Sequence, residues 1–133
     1  MTLLRVNERC DAGPIIWTAT TPIQSGETFG ELHPRLAELS VTLLEPFLDR
    51  CESGSMPPET MQDDSKATMA PKIKKEELCF SFDRPASEIC RRVLAFSPSP
   101  GAYAMWKGSR LKILRAAVAD TLPTPSAPGT ICL

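Results

Sequence analysis

Apolar residues recur at helical spacing between residues 32 and 48, so they form one stripe along a predicted helix. The Thr-x-x-Glu pattern of Thr28 and Glu31 is typical of a helix beginning, because the two side chains can cap each other's backbone N–H groups. Gly54 predicts where the helix ends. Pro46 lies inside the run and is expected to kink or end the helix, since proline removes a backbone donor.

A second helix is predicted after Asp83, whose carboxylate is expected to cap free N–H groups while Pro85 occupies the first turn. Ile89 and Val93 fall on one apolar face of this helix. The sequence Ser-Pro-Ser-Pro-Gly at residues 97–101 then predicts a stiff corner, because proline cannot continue a helix and glycine permits a turn.

Five stretches favour strands. Residues 3–6 and 15–20 are predicted to be two strands joined by a polar loop. An alternation of large apolar residues at positions 78–82 predicts a short half-buried strand. Residues 102–106 and 111–118 are predicted to pair as a hairpin around a turn that contains glycine. Helices and short strands together indicate an α+β protein.

Composition narrows the function classes. The chain has 133 residues, 42% of them apolar, and a net charge of −1, so it is expected to be globular and any polyanion site must be a local patch. Five scattered cysteines without a CxxC pair, together with one histidine, argue against a metal site. No run approaches a membrane span, so a soluble intracellular protein is expected.

Several residues have an ordinary interpretation from local chemistry. Asp11 stands two residues before a glycine, where an aspartate usually forms a turn. His33 lies at a helix beginning and is expected to be a surface residue. Lysines cluster after a proline at positions 72–75, and such a run is usually exposed to solvent without a functional role.

Three longer segments bear a family resemblance. Asp11-Ala12-Gly13-Pro14 resembles the Asp-x-Gly-Pro loop of the folate-dependent formyltransferases. The corner at residues 91–102 resembles the Arg-x-Phe-x-Pro-x-Pro-Gly-Ala corner of the methionyl-tRNA formyltransferases. Residues 62–77 resemble the interdomain connection of that family, with Met69 where the family more often has tyrosine.

The resemblance covers nearly the whole chain and implies its organisation. Residues 1–54 would be the C-terminal edge of an α/β formyltransferase domain, residues 55–75 an interdomain linker, and residues 76–133 an incomplete OB-like β-barrel domain. Residues 128–131 resemble the beginning of the next barrel strand.

The resemblance also implies an activity, the transfer of a formyl group from 10-formyltetrahydrofolate to the amino group of initiator methionyl-tRNA. Asp11 matches the catalytic aspartate, which in the family works with an asparagine and a histidine that lie upstream. Because only ten residues precede Asp11 here, the isolated chain is expected to be inactive.

Basic residues of the connection and of the C-terminal domain would contact the initiator tRNA. They are Lys72, Lys74, Lys75, Arg91, Arg92, Lys107, Arg110 and Lys112. Arg115 belongs to the same predicted basic face. The alternative interpretation is that these residues are ordinary solvent-exposed cations that do not contact tRNA.

Other functions remain open at this point. One is a related formyltransferase that acts on another amine, such as that of a sugar nucleotide, or that releases formate from the folate. The other is a remnant module that binds RNA without catalysis. The expected compartment is the cytoplasm, with a mitochondrion or plastid as the alternative, and the oligomeric state is open.

Overall fold

The computed structural model describes residues 1–121 and 126–131, which form an α+β structure with two helices and two small antiparallel sheets. The elements are β1 (Thr2–Leu4), β2 (Ile15–Thr18), α1 (Phe29–Glu52), α2 (Ala86–Phe96), β3 (Tyr103–Trp106) and β4 (Ser109–Lys112). The chain divides into two compact units: Met1–Pro22 with His33–Pro71, and Ile23–Leu32 with Lys72–Leu133. Neither helix in the described ranges is long and apolar enough to cross a membrane.

The first unit is built on the pairing of β1 with β2. The strands are antiparallel, with Thr2 opposite Thr18 and a register shift after Leu3. Ile15 at the beginning of β2 also exchanges two backbone hydrogen bonds of 2.8 Å with Thr60. A residue far along the chain therefore extends the small sheet by one bridge.

Helix α1 begins where the capping box predicts. The backbone N–H of Thr28 donates to the Glu31 carboxylate at 2.8 Å, and the Glu31 N–H donates to the Thr28 hydroxyl at 3.3 Å. The helix continues through Pro46, so this proline does not end it, and the alternative expectation of a kink stays a prediction. Gly54 follows the helix end with a φ of +71°, as predicted for a C-terminal glycine.

The second unit has a compact apolar core. Val93 of α2 is fully buried, and it packs with Phe80, Ala102 and Ala104. Partly buried side chains of Ile89, Phe96, Ile113 and Ala116 surround this cluster. The corner after α2 is confirmed: Ser97 has extended backbone angles and Gly101 has a φ of +89°.

The predicted cap of α2 is wrong. The helix begins at Ala86, and the residue before it is Pro85, whose carbonyl accepts from the N–H groups of Glu88 and Ile89. The Asp83 carboxylate instead accepts a 2.5 Å hydrogen bond from the Ser81 hydroxyl. A nearby serine therefore competes successfully for the carboxylate.

The strand predicted at residues 78–82 is also wrong. Residues Lys75–Leu78 form a 3-10 turn, in which the Glu77 carboxylate accepts from the Lys74 N–H at 2.6 Å. Cys79 then makes only an isolated parallel bridge to Tyr103. Phe80 is buried, whereas Phe82 is 39% exposed, so the alternation of large residues does not indicate a strand here.

The hairpin is confirmed with a tighter turn than predicted. Trp106 pairs directly with Ser109, and the two residues between them, Lys107 and Gly108, have φ values of +47° and +78°. Positive φ at both positions is the type I′ geometry that joins strands with native twist. The second strand ends at Lys112 instead of continuing to residue 118.

The α+β class is thus confirmed, but the OB-like barrel is not. Within residues 76–121 and 126–131 the structure has one two-stranded sheet and no closed barrel. Residues 128 and 129 form a turn. Residues 122–125 lie outside the described residues, as does Cys132. The division into residues 1–54, 55–75 and 76–133 stays a prediction.

Candidate functional site

The loop that carries Asp11 connects β1 to β2 and is pinched at its base. The Arg5 N–H donates to the Pro14 carbonyl at 2.9 Å, which brings the two ends of the loop together. Gly13 is buried against this closure, since a Cβ atom there would lie 1.6 Å from the Arg5 carbonyl oxygen. Glycine is therefore needed in the Asp-x-Gly-Pro sequence because another backbone segment passes in contact with it.

A glutamine from the later segment of the first unit holds the same loop. The Gln62 side-chain amide donates to the carbonyl oxygens of Asp11 at 2.8 Å and Gly13 at 2.7 Å. Asp11 itself has a φ of +52°, a left-handed conformation that aspartate tolerates better than most residues. These contacts leave the Asp11 side chain exposed at the surface of the loop.

Asp11 borders a cleft of about 590 Å³ within the first unit. One wall of the cleft is the loop that carries Asp11, and the other wall is the segment from Met61 to Met69. The Arg9 guanidinium donates to the Asp64 carboxylate at 2.8 Å across the cleft. The Ser65 hydroxyl and N–H, with Lys66, lower the pKa of the Asp63 carboxyl below its ordinary value.

The chemistry available in this cleft is that of an exposed carboxylate beside paired charges. Such a carboxylate can accept a proton or hold a neighbouring histidine cationic, as proton transfer at a reacting amine requires. A cleft of this volume falls in the range of small-molecule sites. Among the described residues that line the cleft none is aromatic, so the cleft offers no ring on which a pteridine could stack.

The hairpin places two predicted tRNA contacts on one face. Tyr103 pairs with Lys112 and Met105 pairs with Arg110, so these four side chains lie on the same side of the sheet. The opposite side carries Ala104, which is buried in the core. The face with Arg110 and Lys112 is thus the outer one, as the alternation in β4 predicts.

Each cation of the hairpin has a distinct neighbour. The Arg110 guanidinium lies over the Tyr103 ring, 4.8 Å from its centroid, and the Lys107 ammonium lies 4.6 Å from the Trp106 ring centroid. The Lys112 side chain covers Gly101, where a Cβ atom would lie 1.7 Å from Lys112 Cε. The Tyr103 partner of Arg110 was not identified from the sequence, because the register of the hairpin is needed to find it.

The remaining predicted contacts differ in their surroundings. Lys72, Lys74 and Lys75 are exposed, and they precede or begin the 3-10 turn before Phe80. Arg91 is exposed on α2, whereas Arg92 donates to the carbonyl oxygens of Glu77 and Cys79. Arg92 therefore also joins α2 to the segment before it.

Arg115, on the predicted basic face, pairs with Glu31 and donates to the Gly26 carbonyl. His33 is exposed in α1, as predicted. Across the described ranges, no three His, Cys, Asp or Glu side chains group closely enough to hold a metal ion. Cys10, Cys51, Cys79 and Cys90 are free thiols.

Comparisons with known proteins agree with the resemblance. Residues 72–133 match the model of the formyl transferase C-terminal domain. The chain is 38% identical over 126 residues to methionyl-tRNA formyltransferase of Albidiferax ferrireducens, which is 95% of this chain and 39% of that protein. It is 38% identical to the Pseudomonas fluorescens SBW25 enzyme of the same name and 34% identical to that of Coxiella burnetii, each over 98% of this chain.

The chain spans about 40% of the length of the curated relatives that it matches. The family resemblance drawn from the sequence is confirmed. Residues 72–133 therefore belong to the formyl transferase C-terminal domain family, and the chain as a whole is homologous to part of the methionyl-tRNA formyltransferases.

Proposed function

We propose that this chain is the C-terminal part of a methionyl-tRNA formyltransferase. In this proposal residues 1–54 complete a formyltransferase domain, residues 55–75 connect it to the next domain, and residues 76–133 form an OB-like domain that contacts the initiator tRNA. The observation that carries the proposal is the alignment with enzymes of that name along nearly the whole chain. The position of Asp11 at the edge of a cleft supports it.

The proposed reaction transfers a formyl group to the α-amino group of methionyl-tRNA. The amine nitrogen forms a bond to the formyl carbon, the bond from that carbon to the donor nitrogen breaks, and the amine loses a proton. 10-Formyltetrahydrofolate supplies the formyl group when bound. Asp11 relays the proton released by the amine to the departing donor nitrogen, because its exposed carboxylate stands at the cleft edge on a loop held by Gln62 and by the contact at Gly13.

The basic residues have a separate part in the proposal. Lysines and arginines that contact phosphates position a tRNA without reading its sequence. Arg110 and Lys112 on the outer hairpin face, with Lys72, Lys74 and Lys75 before it, are proposed to do this. The 133-residue chain by itself is proposed to lack formyl transfer, because Asp11 in the family acts with other catalytic groups.

The test is a chimera in which the N-terminal part of the Pseudomonas fluorescens relative precedes this chain at the matching position. We expect the chimera to formylate methionyl-tRNA and the isolated chain not to do so. In the chimera, Asp11→Asn should lower kcat by about 100-fold or more, since general acid–base groups contribute on that order.

Glu8→Gln is the matched control, because Glu8 is an exposed carboxylate in the same loop. It should leave kcat within about twofold of the parent chimera, since surface substitutions have small effects. A chimera that is folded and binds RNA but does not formylate methionyl-tRNA would contradict the proposed activity. An equal decrease in kcat for Asp11→Asn and Glu8→Gln would contradict the role of Asp11.

A further inference from the structure

We propose that Trp106 is a stacking site for an unpaired RNA base and that Lys107 binds the phosphate beside that base. The inference rests on the proposed function for its partner, a tRNA, and it adds a residue that the sequence did not single out. It begins from the position of Trp106 at the end of β3. There the side chain lies on the same side of the hairpin as buried Ala104, yet it is 46% exposed.

The exposed indole has a cation as its ring neighbour. The Lys107 ammonium lies 4.6 Å from the ring centroid, within the range of a cation–π contact. In the described part of the chain, Trp106 makes no ring pair of the kind that joins Phe80 to Phe82. The exposed part of the indole is therefore available to a planar ligand that displaces the Lys107 ammonium.

The segment that carries the ring is basic, with Lys107 beside the indole and Arg110 and Lys112 on the opposite side of the hairpin. Between Glu88 and Asp120 the sequence carries six cations and no carboxylate side chain. The cations are Arg91, Arg92, Lys107, Arg110, Lys112 and Arg115. The chain as a whole has a net charge of −1, so this segment is locally basic against an acidic background.

Among the described residues, the cations of the hairpin make no intramolecular ion pair. Arg84 and Arg115 of the same unit each pair with a glutamate. By contrast, Lys107, Arg110 and Lys112 have no carboxylate within ion-pair distance in the described residues. Binding a phosphate at these positions would break no existing salt bridge, and it would release counterions from the RNA.

An exposed aromatic ring with a cation beside it, as Trp106 and Lys107 provide, is the combination that binds single-stranded nucleic acid. Bases stack on aromatic rings irrespective of sequence, and nearby cations contact the phosphates of the nucleic-acid backbone. A base that stacks on Trp106 would displace the Lys107 ammonium, which could then bind the adjacent phosphate. A fully paired RNA helix offers no free base face, so the site is expected to take an unpaired end or loop.

The experiment uses the full chain and two RNA duplexes, without hairpin loops, that differ only in a short single-stranded 3′ end. The chain contains two tryptophans, so Trp17→Phe leaves Trp106 as the sole fluorophore. We expect the RNA with the single-stranded end to quench Trp106 fluorescence and the blunt RNA to quench it little. Trp106→Leu should weaken binding of the RNA with the single-stranded end about 5- to 100-fold, and binding of the blunt RNA should stay within about twofold.

Trp17 gives a matched control, because it is a half-buried tryptophan with Arg50 5.5 Å from its ring centroid. Trp106→Phe leaves Trp17 as the reporter, and its fluorescence should not respond to either RNA. Far-UV circular dichroism identifies any variant that fails to fold. Trp106→Phe should also keep part of the affinity that Trp106→Leu loses, because phenylalanine retains an aromatic ring.

Equal affinity of Trp106→Leu and the parent chain for the RNA with the single-stranded end would overturn the stacking site. Absence of Trp106 quenching on saturation with that RNA would overturn it as well. The two proposals fail separately. A chimera that does not transfer formyl groups but whose Trp106 fluorescence still responds to RNA contradicts the proposed enzyme activity and supports the stacking site. An active chimera whose Trp106 fluorescence does not respond to RNA supports the enzyme activity and contradicts the stacking site.

Discussion

At the scale of single residues, Gly13 determines whether the Asp11 loop can close. Its position offers no room for a side chain, because a Cβ atom would lie 1.6 Å from a backbone oxygen, which cannot rotate away. We expect Gly13→Ala to lower the free energy of unfolding by about 3 kcal/mol, as other severe steric conflicts do. Urea unfolding followed by far-UV circular dichroism measures the change.

Gly26→Ala is the control for this substitution. Gly26 has a φ of +74° but nothing within 4 Å of its would-be Cβ, so only backbone strain opposes the alanine. That strain should cost about 1 kcal/mol. If Gly13→Ala were no more destabilising than Gly26→Ala, the close passage of Arg5 beside the loop would not be what requires glycine.

The residues of the site were predictable only in part. The family motif identifies Asp11, and alternation identifies the outward direction of Lys112. Gln62 holds the Asp11 loop from 51 residues away, and no local pattern connects the two. The reason for glycine at position 13 likewise lies in a carbonyl eight residues earlier, which becomes a neighbour only after the strands pair.

At the scale of elements, the beginning of α1 depends on Thr28. Its side chain is 5% exposed, accepts from the Glu31 N–H, and donates to the Glu31 carboxylate at 2.9 Å. Thr28→Ala removes both hydrogen bonds, and loss of such a cap costs about 1–2 kcal/mol. We expect the Tm to fall by about 4 °C or more, as measured by circular dichroism on heating.

Thr28→Ser distinguishes the contribution of the hydroxyl to stability from that of the methyl group. Serine keeps the capping oxygen, so this variant should retain most of the stability that Thr28→Ala loses. Equal losses in the alanine and serine variants would mean that packing of the threonine methyl group, and not the cap, stabilises this end of α1.

Helices and strands were predictable where the sequence signal is local and no neighbouring side chain offers a competing hydrogen bond. The capping box of α1 is a pair three residues apart, and the structure confirms it. The same logic failed at Asp83, because Ser81 offers its hydroxyl two residues earlier. It failed again before Phe80, where hydrogen bonds within residues 74–79 favour a 3-10 turn and leave only one bridge to Tyr103.

At the scale of the whole molecule, each unit contains a carboxylate whose pKa is lowered by its contacts. In the first unit, the Ser65 hydroxyl and N–H and Lys66 lower the pKa of Asp63 below 3.8. In the second unit, the Thr28 N–H and hydroxyl, followed by Arg115, lower the pKa of Glu31 below 4.5. A lowered folded-state pKa means that the ionised form stabilises the fold, so acid should weaken both units.

The test compares the parent chain with Glu31→Gln across pH. Glutamine keeps an acceptor oxygen without the charge, so it imitates protonated Glu31. The contribution of ionised Glu31 should be complete above its ordinary pKa of 4.5 and disappear as the pH falls through the lowered folded-state value. We therefore expect the parent to unfold at a higher urea concentration than Glu31→Gln near neutrality, and the two midpoints to converge in acid.

Asp63→Asn provides the corresponding comparison in the first unit, where the two midpoints should also converge in acid, as the pH falls through the lowered folded-state pKa of Asp63. Added salt should reduce the part of the Glu31 effect that comes from Arg115, since exposed ion pairs are screened. It should leave the part from the Thr28 hydrogen bonds largely unchanged. A midpoint difference between Glu31→Gln and the parent that stays constant from neutral to acid pH would show that the carboxylate charge does not stabilise this helix end.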